Sequence, residues 1–229
     1  TFGGPGTKAD YSQHLSDYCC WGLDNGCFTS RGAFDADPWI DRLDYMINEI
    51  PDAAERCLFA AAPDVFMGPE KGGDMGATIE RSLPILPRIR DTGAPAALVL
   101  QDDAWTMIDR IPWDEFDVAF LGGRDDFKLG FPTKGVGTTT YHYDRENEQS
   151  QQWARLMWEC HERGKPIHVG RVSGAVRMAF GRDIWASSAD GTYLGYTGPK
   201  GLDDIDRWTR DPSWTGISAD GQQVLPFAA

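Results

Sequence analysis

The feature that most constrains this chain is a repeated alternation of short apolar runs and longer segments with helical spacing. Each apolar run ends in polar or glycine residues, which is the pattern of strand, turn and helix in βαβ units. The runs are almost continuously apolar, as expected for parallel strands that are covered on both faces. The sequence therefore predicts an α/β protein with strands at residues 19–23, 57–62, 96–100, 118–121, 167–169 and 184–189.

Helices are predicted between these strands. Residues 38–50 follow Asp37 as a candidate N-cap and begin with Pro38, a residue favoured in the first turn of a helix. Residues 147–163 carry apolar side chains at helical spacing and are followed by Gly164. Residues 78–90 have a less regular pattern, because Pro84 and Pro87 lie inside the segment and proline breaks or kinks a helix. The order of strands and helices along the chain supports the α/β assignment.

Two architectures fit a repeat of strand and helix. An open doubly wound sheet concentrates its site at one switch point, whereas a barrel assembles its site from the carboxyl ends of several strands. Polar residues follow every predicted strand of this chain. We therefore expect a single (β/α)8 barrel domain over residues 1–229, in which residues 195–229 form an irregular C-terminal cap or a last strand.

The composition is that of a globular protein. Hydrophobic residues make up 41% of the 229 residues and charged residues 25%. No apolar run is long enough to span a bilayer, and the first residues do not resemble a signal peptide, so we expect a cytoplasmic protein with no membrane partner. The five cysteines contain no C-x-x-C pair, which predicts free thiols and disfavours a structural zinc site. We expect no metal site and no cofactor.

The net charge of −13 disfavours a general nucleic-acid coat, because phosphate binding depends on Lys and Arg. A local basic rim remains compatible with this charge. Its candidate residues occur beside the glycine-rich turns, although ordinary surface charges would give the same pattern. They are Arg124, Lys128, Lys134, Arg171, Arg177 and Lys200.

Candidate functional residues follow separate predicted strands, so a barrel would bring them together. Any one of them alone is equally compatible with an ordinary turn or helix cap, since Asp and Gly are common in turns. Their convergence is the argument for a site. They are Asp24, Asp64, Gln101, Gly122, Gly123 and Asp190.

The chemistry of these residue types suits glycosyl transfer to or from a purine. Two carboxylates can divide the work, one attacking the sugar and the other moving a proton. Gln101 offers both a hydrogen-bond acceptor and donors to a base edge. The backbone of Gly122 and Gly123 can approach a flat ring because no Cβ intervenes.

A family resemblance rests on six motifs in a fixed order. The motifs are Asp24-Asn25-Gly26-Cys27-Phe28, Ala62-Pro63-Asp64, Val99-Leu100-Gln101-Asp102, Phe120-Leu121-Gly122-Gly123, His168-Val169-Gly170-Arg171-Val172 and Ser188-Ala189-Asp190-Gly191-Thr192. In these motifs the chain is similar to the queuine and archaeosine tRNA-guanine transglycosylases over roughly residues 19–194. It looks closer still to the shorter phage-type DNA-guanine transglycosylase-like proteins.

This resemblance implies a barrel enzyme that exchanges guanine in a nucleic acid for a 7-deazaguanine base through a covalent glycosyl-aspartate. It implies that Asp190 is the nucleophile and Asp24 the general acid/base. Asp64 would bind the N1 and N2 edge of the base. The remaining implied roles are O6 recognition by Gln101 and the amides of Gly122 and Gly123, ring stacking by Phe28, and phosphate or ribose contacts by Lys128 and Arg171.

His168 is a further candidate, because it lies beside a glycine-rich turn where its side chain can face a pocket. A histidine that is hydrogen-bonded at a strand end is an equally good interpretation. Asp183 is an alternative to Asp190 as nucleophile. The run 181–190 is longer than the corresponding family segment, so either aspartate can be aligned with the family's nucleophile.

The resemblance is incomplete. The zinc motif and the C-terminal extension of the tRNA enzymes have no counterpart in this sequence. DNA is therefore favoured over tRNA as substrate, and a homo-oligomer or a partner subunit stays open. The alternatives are an N-glycosidase or nucleoside hydrolase that uses the same carboxylates, and a non-catalytic barrel that binds a nucleobase or a protein.

Overall fold

The computed structural model describes residues 2–3, 20–27, 30, 32–68, 71–128 and 148–210. Contacts group the chain into two compact units. Unit 1 comprises Thr1–Asp102 and Asp109–Phe120, and unit 2 comprises Asp103–Ile108 and Leu121–Ala229. Strands alternate with helices along the chain, so the α/β class expected from the sequence is confirmed.

The described residues form seven short strands, and hydrogen-bonded neighbours in the sheet follow sequence order from β1 to β7. The pairs β1/β2, β2/β3, β3/β4 and β6/β7 are parallel. In the β3/β4 pair Ala60 lies opposite Ala96 and Ala61 opposite Ala97. The strands are β1 Phe2–Gly3, β2 Trp21–Leu23, β3 Cys57–Ala61, β4 Ala96–Leu100, β5 Val118–Leu121, β6 Ile167–Val169 and β7 Ser188–Ala189.

The helices connect these strands. The proline-containing segment is divided in two, because one helix ends before Pro84 and the next has Pro87 in its first turn. The helices are α1 Ala36–Glu49, α2 Ala53–Arg56, α3 Met75–Ser82, α4 Leu86–Asp91, α5 Asp125–Lys128, α6 Glu148–Glu162, α7 Ala175–Asp183, α8 Tyr193–Thr197 and α9 Lys200–Arg210, with a 3₁₀ helix at Ala104–Arg110.

The core of unit 1 lies on three of its strands. Phe59 and Ala61 of β3 pack with Ala97 and Val99 of β4 and with Val118 of β5. Gly22 of β2 leaves room for the Phe59 ring, because an added Cβ at this position would overlap the ring. Burial of these apolar side chains stabilises the association of the three strands, at about 25 cal/mol per Å² of apolar surface removed from water.

The core of unit 2 is built on helix α6. Its buried face carries Trp153, Leu156, Met157 and Cys160 at spacings of three and four residues, as the periodicity of the sequence predicts. The Trp153 ring packs against Phe180 of α7, with ring centroids 5.4 Å apart. This contact joins the two longer helices that flank β6 in the sequence.

The closed eight-stranded (β/α)8 barrel expected from the sequence is wrong. Over the described ranges the sheet has seven strands, and β1 and β7 are its two ends. The local alternation of strand and helix is the same in open and closed parallel sheets. Closure depends on strand number, tilt and stagger, which are long-range quantities that no local pattern encodes.

Most predicted segments agree with the structure to within a few residues, and two differ by more than that. The predicted strand 184–189 is reduced to Ser188–Ala189, because helix α7 continues to Asp183 and Trp185 adopts a left-handed backbone conformation with φ 54°. Within the segment 195–229, residues 200–210 form helix α9, and residues 211–229 lie outside the described part of the chain.

Within the described ranges, none of the helices combines the length and the apolar character that crossing a bilayer requires.

Candidate functional site

The first cluster of predicted site residues, in unit 1, pairs Asp64 with Gln101. Asp64 follows β3 by three residues and Gln101 follows β4 directly. Because β3 and β4 are parallel neighbours, their carboxyl ends bring the two side chains together. Gln101 Nε2 donates a hydrogen bond to Asp64 Oδ2, and both residues are buried. We call these two residues the Asp64–Gln101 pair.

Burial raises the pKa of the Asp64 carboxyl above its usual value, because it disfavours the ionised form. Hydrogen bonds from Asn25 and Gln101 and the positive charge of Arg81 oppose this rise but do not cancel it. Asp64 therefore holds a proton more readily than an exposed aspartate does. A ligand that donates hydrogen bonds to this carboxyl would favour the ionised form.

Gln101 has a buried acceptor that no described residue pairs with. Its Oε1 atom is buried and has no hydrogen-bond partner among the described residues. Gly73 packs directly against this amide, so closely that an added Cβ would overlap Gln101 Oε1. An unpaired buried carbonyl costs about 1–3 kcal/mol, which a hydrogen-bond donor on a ligand would recover.

Loops around the pair are held by groups that the sequence reasoning did not single out as site residues. Asn25 Nδ2 donates to the carbonyl of Ala62 at 2.8 Å. Arg81 donates to the carbonyls of Asp64 at 3.0 Å and Gly32 at 2.6 Å. Arg81 lies on helix α3, where an arginine is an ordinary surface residue, so the sequence gives no signal for its role. Asn25 belongs to an Asp-Asn-Gly turn, which the sequence does reveal.

Asp102 is a second such group. Its Oδ2 accepts a hydrogen bond from the backbone N–H of Gly73 at 2.7 Å, and its side chain is buried. This bond ties the segment that covers Gln101 to the end of β4. The sequence signal was the doubled aspartate of Gln101-Asp102-Asp103, which gives no indication of which carboxylate turns inward.

Asp24, the predicted general acid/base, follows β2 directly and is half-buried. Its carbonyl accepts a hydrogen bond from Trp39 Nε1 at 3.2 Å. Burial raises the pKa of the neighbouring Cys27 thiol to about 11, and the negative charges of Asp64 and Asp24 add to the rise. Cys27 is therefore a protonated thiol at neutral pH rather than a nucleophile.

The second cluster, in unit 2, is centred on Asp190. This residue follows β7 directly, and its side chain is 24% exposed. Asp190 Oδ1 accepts a hydrogen bond from the backbone N–H of Arg171 at 2.6 Å, and Oδ2 lies 3.3 Å from His168 Nε2. His168 Nδ1 in turn lies 2.8 Å from Ser188 Oγ. We call Ser188, His168, Arg171 and Asp190 the Asp190 cluster.

Parallel strand ends explain this arrangement. His168 pairs with Ser188 and Val169 pairs with Ala189 across β6 and β7, so the residues that follow the two strands are also neighbours. Partial burial alone would raise the pKa of Asp190. The hydrogen bonds from His168 and from the Arg171 backbone, together with the charge of Lys128, outweigh it and lower the pKa below its usual value. Asp190 is therefore ionised at neutral pH.

Arg171 occupies a strained position beside Asp190. Its φ of 59° lies in the left-handed region, which a side chain with a Cβ rarely adopts. Arg171 Nη2 donates to the carbonyl of Gly123 at 2.7 Å. The bend at Arg171 directs its backbone N–H at Asp190, and such strain is common where a chain positions a functional group.

Lys128 is almost completely buried. Its Nζ donates to the carbonyl of Gly170 at 3.0 Å and lies 3.5 Å from Asp125 Oδ1. Burial lowers the pKa of Lys128 to about 8, and the charges of Arg171 and Arg177 act in the same direction, against Asp125. Lys128 shares the lining of a small cleft with Asp125, Val169, Gly170, Arg177 and Phe180.

The other predicted site residues are placed as follows. Gly122 and Gly123 follow β5, and Gly123 has a φ of 72°, which its lack of a Cβ permits. Asp183 is the last residue of α7, so Asp190 rather than Asp183 stands at a strand end. Phe28 and Lys134 lie outside the described residues.

The predicted site residues are divided between the two units. Unit 1 contains Asp24, Asp64 and Gln101, and unit 2 contains Gly122, Gly123, Lys128, His168, Arg171 and Asp190. Across the part of the chain that the structure covers, three or more His, Cys, Asp or Glu side chains nowhere converge as metal ligands would.

Comparison with known proteins gave no matching family model and no matching curated protein.

Proposed function

We propose that this chain is a glycosyltransferase that exchanges guanine in a nucleic acid for a 7-deazaguanine base, with Asp190 as the nucleophile. The observation that carries the proposal is the state of Asp190. It is a partly exposed carboxylate at a strand end, with a lowered pKa and two N–H groups aimed at its two oxygens. An ionised, oriented carboxylate is what attack on a sugar C1′ requires.

The first step forms a bond between one Asp190 oxygen and C1′ of the nucleotide, while the bond from C1′ to guanine N9 breaks. The electron pair of that bond leaves with guanine, which takes a proton from the general acid. In the second step N9 of the incoming base attacks C1′, loses its proton, and Asp190 departs as a carboxylate. Two displacements at C1′ retain its configuration.

The N–H groups of the Asp190 cluster support both steps. They stabilise the carboxylate before attack and again when it leaves, since hydrogen bonds to an ionised group are stronger than those between neutral groups. The oxygens of a carboxylate offer about four acceptor sites. Hydrogen bonds from Arg171 and His168 occupy two of the acceptor sites of Asp190, which leaves about two for the reaction.

Base recognition is assigned to the Asp64–Gln101 pair. Guanine has donors at N1 and N2 and an acceptor at O6, and these complement a carboxylate and an amide N–H. In the proposal the base takes over the hydrogen bond that Asp64 and Gln101 make with each other. Asp24 keeps the general acid/base role that the resemblance implies, and DNA is the favoured polymer.

The test is an exchange assay with labelled guanine and, separately, duplex DNA, single-stranded DNA and tRNA. We expect label to enter one polymer, and we expect Asp190→Asn to lose about a thousandfold or more of that rate. Asp183→Asn is the matched control and should retain the rate. A folded wild-type protein that labels none of the three polymers contradicts the proposal, as does an Asp190→Asn variant with full activity.

Omitting the incoming base separates exchange from hydrolysis. A transglycosylase leaves the polymer intact or held as a covalent adduct on Asp190, because the intermediate has no acceptor base. Abasic sites formed at the same rate without added base would replace the proposal with an N-glycosidase.

A further inference from the structure

The side chains of Ser188, His168 and Asp190 form a continuous hydrogen-bonded row. Ser188 Oγ lies 2.8 Å from His168 Nδ1, and His168 Nε2 lies 3.3 Å from Asp190 Oδ2. The imidazole between them is completely buried. A fully buried histidine that touches the candidate nucleophile is not required for packing alone, since an apolar side chain would fill the same space.

The direction of the hydrogen bonds follows from the chemistry of the carboxylate. Asp190 is an acceptor only, so His168 must carry its proton on Nε2, whether the ring is neutral or protonated. The tautomer with the proton on Nδ1 alone would place two lone pairs against each other. In the neutral ring Nδ1 is then an acceptor, and the hydroxyl of Ser188 donates to it.

Other groups act on Asp190 from neighbouring elements. In the described part of the chain they are the backbone N–H of Arg171, after β6, and the ammonium of Lys128, on α5. The Arg171 N–H serves Oδ1, whereas His168 serves Oδ2. His168 is thus the side chain that orients the second oxygen.

We infer that His168 is a positioning residue for Asp190, donating from Nε2 to Oδ2, and that Ser188 fixes the tautomer in which it can do so. The catalytic consequence rests on the proposed function. His168 keeps the nucleophile ionised and oriented, and it stabilises the carboxylate that leaves C1′ in the second displacement. No proton is transferred through His168 in this scheme.

The experiment measures Asp190 directly, so it does not depend on activity. The carboxyl carbon of Asp190 is titrated by ¹³C NMR in aspartate-labelled protein, with Asp190→Asn used only to identify the resonance. We expect His168→Leu to raise the pKa of Asp190 by about one unit, the size expected for a lost hydrogen bond to a charged group. His168→Gln should return the pKa most of the way, because an amide N–H can replace Nε2–H.

Two further variants complete the design. His161→Gln is the matched control, since His161 Nε2 lies 2.9 Å from the carbonyl oxygen of Ile184, and it should leave the pKa of Asp190 unchanged. Ser188→Ala removes only a hydroxyl, so it is tolerated even where His168→Leu does not fold. It should raise the pKa of Asp190 by less than His168→Leu does.

The inference is overturned if the pKa of Asp190 stays at its wild-type value in both Ser188→Ala and a folded His168 variant. It is also overturned if His168→Gln behaves like His168→Leu, because then the N–H donor is not the cause. Where exchange activity is present, the acid limb of its pH profile should move with the NMR pKa. Absence of exchange with the expected NMR shifts would refute the proposed function and leave the positioning role intact.

Discussion

The backbone N–H of Arg171 donates to Asp190 Oδ1 at 2.6 Å, across 19 residues of sequence, from a residue in the left-handed region of backbone space. The contact requires the unusual φ of Arg171 but not its side chain. The guanidinium has a separate partner, the carbonyl of Gly123. The two functions of Arg171 can therefore be separated by substitution.

We expect Arg171→Gly to be more stable than Arg171→Ala by about 1 kcal/mol, because both variants lose the guanidinium but only glycine relieves the strain at φ 59°. Urea unfolding of the two variants measures the difference. Both should keep a lowered pKa at Asp190, since both retain the backbone N–H. Equal stabilities would mean that the left-handed conformation carries no strain here.

Asp190 should make folding depend on pH in a predictable direction. Its pKa in the folded protein lies below the value of 3.8 for an unperturbed aspartate. The ionised carboxylate therefore stabilises the fold above pH 3.8, and this contribution disappears as the pH falls through the folded pKa. The free energy of unfolding of wild type minus that of Asp190→Asn should decrease from neutral pH towards pH 3. A difference that grows on acidification contradicts the assignment.

Asp64 should show the opposite dependence. Burial raises its pKa in the folded protein above 3.8, so the protonated form is the one that the fold favours. Its contribution is fully present below pH 3.8 and is lost as the pH rises through the folded pKa. Asp64→Asn should therefore gain stability relative to wild type as the pH rises over this window. Chemical unfolding at a series of pH values, with the exposed Asp37→Asn as control, measures the trend.

Gly73 should tolerate no side chain, because an added Cβ would overlap the Gln101 amide. We expect Gly73→Ala to cost about 1–3 kcal/mol of stability and to weaken guanine binding, since Gln101 must move away from Asp64. Thermal unfolding and equilibrium binding of guanine measure the two effects. Gly174→Ala is the control, because its Cβ would meet open space. Wild-type binding by Gly73→Ala would remove Gln101 from base recognition.

Lys128 should destabilise the fold below its own pKa. Burial lowers that pKa to about 8 in the folded protein, from 10.5 for an unperturbed lysine. The unfolded chain therefore binds more protons between pH 8 and pH 10.5, and stability rises with pH over this window. Lys128→Met removes the effect, so wild type should gain relative to this variant as the pH increases from 8 to 10.5. A constant difference would show that Lys128 is not desolvated.

Local pattern predicted the strands accurately where an apolar run is bounded by turn residues on both sides. Strands β4, β5 and β6 begin and end at the predicted residues. Pattern failed at residues 184–189, where Ile184 is the C-cap of helix α7, Trp185 lies in the turn that follows, and the strand begins only at Ser188. A short apolar run reads the same in a strand and in a buried helix end, and only packing distinguishes them.

The sequence predicts which residues belong to the candidate site, but not which of them contact each other. Polar residues that follow separate strands are predicted to converge at one edge of a parallel sheet, and Asp64 and Gln101 are indeed hydrogen-bonded to each other. The contact between His168 and Asp190 follows from the β6/β7 register, which the sequence does not specify. Asn25, Arg81 and Asp102 were not singled out, because their roles depend on which loop carbonyls and N–H groups come within reach.

The amino-acid sequence alone was enough to place strand and helix segments and the polar residues at strand ends, because hydrophobic periodicity and turn chemistry act over a few neighbouring residues. Tertiary structure decided how many strands the described sheet has and that β1 and β7 are its ends. It also decided the opposite pKa shifts of Asp64 and Asp190. Those properties depend on strand register, burial and nearby charges brought together from distant parts of the chain. Two aspartates that both follow a strand have the same side chain, and their surroundings raise the pKa of Asp64 and lower that of Asp190.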